Sequence, residues 1–115
     1  MAKAYLIDVT AKEVREIDYD HTKQRIGEVL GIGNNPIDVA ASWGVGGPAL
    51  YVDDEGLLHD PKKFFSFAPR RDGALLAGNG LLVGREVETP DKWWHEDVPF
   101  TKDEVERWVT FFWRD

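Results

Sequence analysis

The apolar residues of this chain come in short runs, many of them stopped by glycine, proline or aspartate before they reach the length of an ordinary helix. Runs of roughly 5–6 residues between turn signals are the raw material of strands. Residues 4–9 and 13–19 are two such runs, separated by Thr10, Ala11 and Lys12, and they predict an antiparallel hairpin. In the second run Ile17 and Tyr19 alternate with charged residues, so one face is buried and the other wet, as at or near a sheet edge. Across 22–30 the period changes. Ile26, Val29 and Leu30 sit at i, i+3 and i+4 and Gly31 follows, which predicts a short helix on the hairpin.

Residues 31–36 carry turn chemistry, 37–43 a strand, and 44–48 a flexible glycine loop. Residues 49–52, the acidic turn 53–56 and Leu57-Leu58 form a strand, tight turn and return; 64–68 is a further strand, ended by Pro69. The runs 75–77 and 81–83 meet through Asn79-Gly80, the pair favoured where a type I′ turn takes positive φ twice, and so predict a hairpin. After Thr89-Pro90 the segment 91–99 reads as irregular. A last helix opens at Thr101, where a glutamate three residues later completes a capping box. The expected fold is therefore α+β, a single domain over 1–115. It consists of a mainly antiparallel sheet of hairpins, one short helix after the first hairpin, and a C-terminal helix packed on the sheet.

Composition narrows the function. A length of 115 residues suits one core, and 43% hydrophobic with 30% charged residues is ordinary for a soluble globular protein. No apolar run approaches a membrane span, and charges at Lys3 and Asp8 interrupt the start, so no membrane, no signal peptide and a cytoplasmic location are expected. With no cysteine there are no disulfides, thiolate metal sites or cysteine nucleophile. A formal charge of −7, spread along the chain, repels phosphates and disfavours nucleic acid as a partner.

The Tyr5-Leu6-Ile7-Asp8 opening with Thr10 and Val14, the Asp18-Tyr19-Asp20 ending, the block from Leu50 to Leu58 and the block from Ala77 to Gly84 resemble a family of small phage and prophage proteins with a domain of unknown function. The resemblance covers roughly residues 4–87 and names no reaction. It implies a mobile-element origin and a host-cytoplasm setting.

Candidate chemistry is thin. Asp53-Asp54-Glu55, with His59-Asp60 behind it, suits a metal cluster less well than a turn, since three consecutive residues do not converge on one centre. His95-Glu96-Asp97 lacks the second histidine at i+4 that a zinc-protease helix requires, and Asp18, Asp20 and His21 read as caps at a strand-to-helix junction. Neither Ser42 nor Ser66 stands in a nucleophile elbow, and neither glycine cluster has the spacing of a phosphate loop. No catalytic residue, metal or cofactor is expected. Arg70-Arg71 is an adjacent arginine pair able to clamp an anion bidentately, although a solvated turn is the simpler reading.

The aromatic residues remain. Trp93, Trp94, Phe100, Trp108, Phe111, Phe112 and Trp113 crowd the end of the chain. On a helical wheel Val105, Trp108, Val109 and Phe112 form a stripe about 100° wide, leaving Phe111 and Trp113 on opposite flanks. Paired Trp93-Trp94 either closes the core or anchors an interface. These residues predict a non-catalytic interaction protein that binds a host protein or a second copy of itself through Trp93, Trp94, Phe111 and Trp113. The alternative is a small-molecule binder with its pocket near Trp43, Trp93 or Trp94 and an anionic ligand on Arg70 or Arg71.

Overall fold

The computed structural model describes residues 2–55 and 62–114. In chain order the elements are β1 (Ala2–Asp8), β2 (Glu13–Tyr19), α1 (Ile26–Leu30), β3 (Ile37–Ser42), β4 (Ala49–Asp53), β5 (Lys63–Phe67), β6 (Leu76–Ala77), β7 (Gly80–Val83), β8 (Glu86–Glu88), β9 (Trp93–His95), α2 (Lys102–Trp108) and β10 (Val109–Trp113). Five strands form the main sheet in the order β2-β1-β7-β4-β3; β10-β5-β6 form a second sheet and β8-β9 a hairpin, with every pairing antiparallel.

Alternation explains the layering. Tyr5 and Ile7 of β1, Leu82 of β7, and Leu50 and Val52 of β4 line one face of the main sheet, where Phe65, Phe67 and Leu76 of the smaller sheet and Val105 of α2 cover them. Ala4, Tyr19, Leu81 and Val83 line the other face beneath Leu30 of α1. The unbroken run Leu81-Leu82-Val83 follows from this, because β7 is central and covered on both faces. Each fully buried Leu, Ile, Val or Phe contributes about 1.5–3 kcal/mol. Helix α1 stops where Gly31 takes the left-handed conformation at φ 77°. It is shorter than the 22–30 period suggests.

Three local expectations are corrected. The C-terminal helix ends at Trp108 and the chain continues as β10, paired with β5 over its full length from Val109↔Phe67 to Trp113↔Lys63. The capping box is present, with the Glu104 N–H donating to Thr101 Oγ1 and the Thr101 N–H to Glu104 Oε1, both at 3.1 Å. But Val109-Thr110-Phe111-Phe112-Trp113 is a run of β-branched and aromatic residues that loses side-chain freedom in a helix and packs well on a pleated surface. The helical stripe therefore does not exist. Val109 and Phe111 face the main core, and Phe112 faces the opposite way.

Residues 75–83 do not form a hairpin either. β6 belongs to the smaller sheet and β7 to the larger. The residue with positive φ is Gly78, at 79°, while the Asn79 side chain accepts the Val9 N–H at 3.0 Å. Gly80 is needed for close approach: a Cβ there would lie 2.8 Å from Phe65 Cζ and 3.1 Å from Leu50 Cδ1. Third, the segment expected to be irregular holds β9, which pairs with β8 in the register Glu86↔His95, Val87↔Trp94 and Glu88↔Trp93. The glycine loop after Trp43 is tied down, with Trp43 N–H to the Pro48 carbonyl at 3.0 Å and Glu86 N–H to the Gly46 carbonyl at 2.9 Å. The expected return strand at Leu57-Leu58 and the pair His59-Asp60 lie outside the described residues. Among the described residues no helix is long and apolar enough to cross a membrane.

Candidate functional site

The four aromatic residues expected to form one interface do not lie together, and Trp113 and Trp93 stand at opposite ends of the first hairpin. Trp113 lies at the turn end: its indole N–H donates to the Val9 carbonyl at 2.9 Å, and the Lys12 and Lys63 ammonium groups stand 4.0 and 4.9 Å from its ring centroid. Trp93 lies at the other end, packed edge-on against His21 with ring centroids 4.1 Å apart. The length of β1 separates the two, roughly 20 Å at a strand's rise per residue. Trp94 pairs with Val87 on the opposite face of the β8-β9 hairpin from Trp93, with Lys92 Nζ 5.2 Å from its ring. Phe111 is half-buried on the core face of β10.

β10 is the edge of the smaller sheet, and its hydrogen-bonding pattern fixes what that edge presents. The Ala68 N–H donates to the Trp108 carbonyl at 2.8 Å and the Arg114 N–H to the Lys62 carbonyl at 2.7 Å. In an antiparallel ladder these two bonds place Thr110 and Phe112 in hydrogen-bonded pairs with Ser66 and Phe64. The N–H and C=O groups of Val109, Phe111 and Trp113 then point away from β5, toward an edge along which no strand pairs among the described residues. Side-chain exposure is high there, 42% for Phe112 and 52% for Trp113.

The two edges of the main sheet differ from this one. β2 carries Glu13, Arg15, Glu16 and Asp18, and β3 carries Asp38 and a bulge between Val39 and Ala41. Charges and bulges of this kind are how open edges avoid pairing with other chains. β10 has neither.

The residues of the alternative, ligand-binding reading are not assembled into an anion clamp. Trp43 joins an aromatic cluster, 4.9 Å from Phe100, 6.1 Å from Phe67 and 6.2 Å from Trp108, ring centroid to ring centroid. Arg70 is committed to Asp72 through Nη2 to Oδ2 at 2.6 Å and Nε to Oδ1 at 3.3 Å, and this pairing helps to hold the Asp72 carboxyl at a pKa of about 2. Arg71 is exposed. Asp53 Oδ1 accepts the Glu55 N–H at 2.9 Å, the bond of a turn aspartate. Among the described residues no three histidine or carboxylate side chains gather where a metal ion could be held.

A second constellation is not legible in the sequence, where His21 reads as a cap and His95 lacks a zinc-protease partner. Trp93 and His95 are two apart on β9, so they share the hairpin face that meets Tyr19 and His21 at the end of β2. Asp97 Oδ1 accepts the Lys3 N–H at 2.8 Å and the Val98 N–H donates to the Lys3 carbonyl at 3.0 Å, anchoring the hairpin to the start of β1. Glu86 Oε1 receives the Trp93 indole N–H at 2.5 Å and fixes that ring. His95 is only 7% exposed, and its Nδ1 has no hydrogen-bond partner. Burial lowers its pKa, with His21 acting in the same direction and Glu86 against it. The signal present in the sequence was the alternation of Trp93 and His95 after a turn at Thr89-Pro90.

Compared with protein families, with curated proteins and with solved structures, the chain matches none.

Proposed function

We propose that this chain is a small non-catalytic interaction protein, of the phage or prophage kind its sequence resembles, and that its first partner is a second copy of itself. The observation that carries this reading is the open edge of β10: five consecutive uncharged residues with β-branched or aromatic side chains, and three pairs of outward backbone groups. Backbone groups on such an edge pair with another strand at little cost, and an uncharged aromatic edge is one that natural sheets otherwise protect. A twofold axis at Phe111 makes the contact isologous. It pairs Phe111 with Phe111 of the second copy, Thr110 with Phe112 and Val109 with Trp113. The surface charge, formally −7 per copy, favours basic protein surfaces over nucleic acid for any host partner.

The register yields a direct test by sedimentation velocity. Thr110 and Phe112 are exposed, so charges are tolerated there by the monomer. In the double variant Thr110→Lys with Phe112→Lys, lysine faces lysine across the axis and the dimer is lost. In Thr110→Lys with Phe112→Glu each lysine faces a glutamate and the dimer is kept. Equal sedimentation of the two variants, or a wild-type monomer at millimolar concentration, contradicts the proposal.

A further inference from the structure

The hollow between the β8-β9 hairpin and the end of β2 has a volume of about 300 Å³ and is lined by Tyr19, Asp20, His21, Trp93, Trp94 and His95 among others. A second hollow of about 400 Å³ adjoins it, sharing Tyr19, His21 and Trp93. Its walls are rings: His95 lies 5.1 Å from Trp93, 5.8 Å from Tyr19 and 6.3 Å from His21, centroid to centroid. Trp93 has spent its donor on Glu86, so toward the hollow it offers an apolar surface. The lining includes His95, only 7% exposed, whose Nδ1 is buried without a hydrogen-bond partner. A buried polar atom in that state costs stability unless something fills its valence.

We propose that this pocket binds a free purine or pyrimidine base or its nucleoside, the ring held among Tyr19, His21 and Trp93 and an edge group hydrogen-bonded to His95 Nδ1. Three features select this class. A lining of aromatic rings packed edge to face on one another favours a flat ligand with apolar faces over an aliphatic acid or a sugar. A neutral imidazole presents Nδ1 as acceptor in one tautomer and donor in the other, and the edge of a base, alternating donors and acceptors, matches either. In the lining Asp20 is offset by Lys92, and it is the formal charge of −7 over the whole chain that opposes polynucleotides. Burial favours the uncharged form of His95, in which Nδ1 can either accept or donate. The site lies a strand's length from β10, so it stands or falls independently of self-association.

The test titrates the full chain with adenine, uracil, adenosine and uridine while the imidazole nitrogens are followed by ¹⁵N NMR. Ribose 5-phosphate, toluene and a single-stranded hexanucleotide serve as controls. Saturable movement of the His95 Nδ1 resonance with at least one base or nucleoside is expected. Binding should weaken at least tenfold in His95→Phe, which keeps a ring and removes the nitrogens, and in Trp93→Leu. His21→Ala, at a half-exposed position, should also weaken binding and guards against misfolding of the buried variant. No response to any base at millimolar concentration overturns the proposal. So does unchanged affinity in His95→Phe, tighter binding of toluene, or tighter binding of the hexanucleotide than of its nucleosides.

Discussion

The indole N–H of Trp113 donates to the carbonyl oxygen of Val9 at 2.9 Å and so joins the last strand to the first hairpin. Trp113 looks like surplus surface in the sequence, yet its ring sits between Lys12 and Lys63 and its donor is used. Replacing it with phenylalanine keeps most of the ring and removes the bond. The expected cost is about 1 kcal/mol in urea unfolding, the usual net value of such a bond. An unchanged unfolding midpoint and slope would show that the Val9 carbonyl is equally well served by water.

Gly80 separates two explanations for one glycine. A Cβ at this position meets Phe65 at 2.8 Å, so even Gly80→Ala overpacks the core and should destabilise by about 1–3 kcal/mol. Phe65→Leu, which withdraws the ring, should recover part of that loss in a double-mutant cycle. If the glycine were present for positive φ, Gly80→Asn would be tolerated better than Gly80→Ala. The packing account predicts that the larger asparagine is the worse of the two.

His95 gives the fold a pH dependence with a definite sign. Its pKa in the folded chain is lowered by burial, so below the ordinary value of 6.5 the unfolded chain takes up a proton that the folded chain resists. Stability is therefore full above about pH 6.5 and declines as pH falls through that value toward the folded pKa. His95→Phe removes this component. Melting temperatures between pH 7.5 and 5.5 should fall more for the parent chain than for the variant, and equal falls would contradict the burial account.

Much of the sheet was legible because its information is local. The first hairpin, β4 and β5 show period-two or continuous apolar runs with turn residues at their ends, and the Thr101–Glu104 box marks the start of α2. What was illegible depends on partners distant in sequence. Val109, Trp108 and Phe112 fit a helical wheel as readily as a strand, and only the β5 strand, more than forty residues earlier in the chain, decides between them. Asn79-Gly80 carries a hairpin's signature, yet the close approach of Phe65 and the bond from Val9 set its conformation. The His95 pocket was hidden for the same reason. Tyr19, His21 and Trp93 meet only once the β8-β9 hairpin docks against the end of β2, and no spacing within one segment records that meeting.

The outward amide of Phe111 reports most directly on the claim that β10 is a self-pairing edge. Its N–H points away from β5, so in a monomer it exchanges with solvent far faster than the amides of Thr110 and Phe112. Amide exchange measured by NMR from micromolar to millimolar chain concentration should show Phe111 slowing with concentration. The same amide should stay fast in the Thr110→Lys, Phe112→Lys variant. A Phe111 amide that exchanges at one rate across the whole range, in both proteins, would contradict the edge-to-edge dimer.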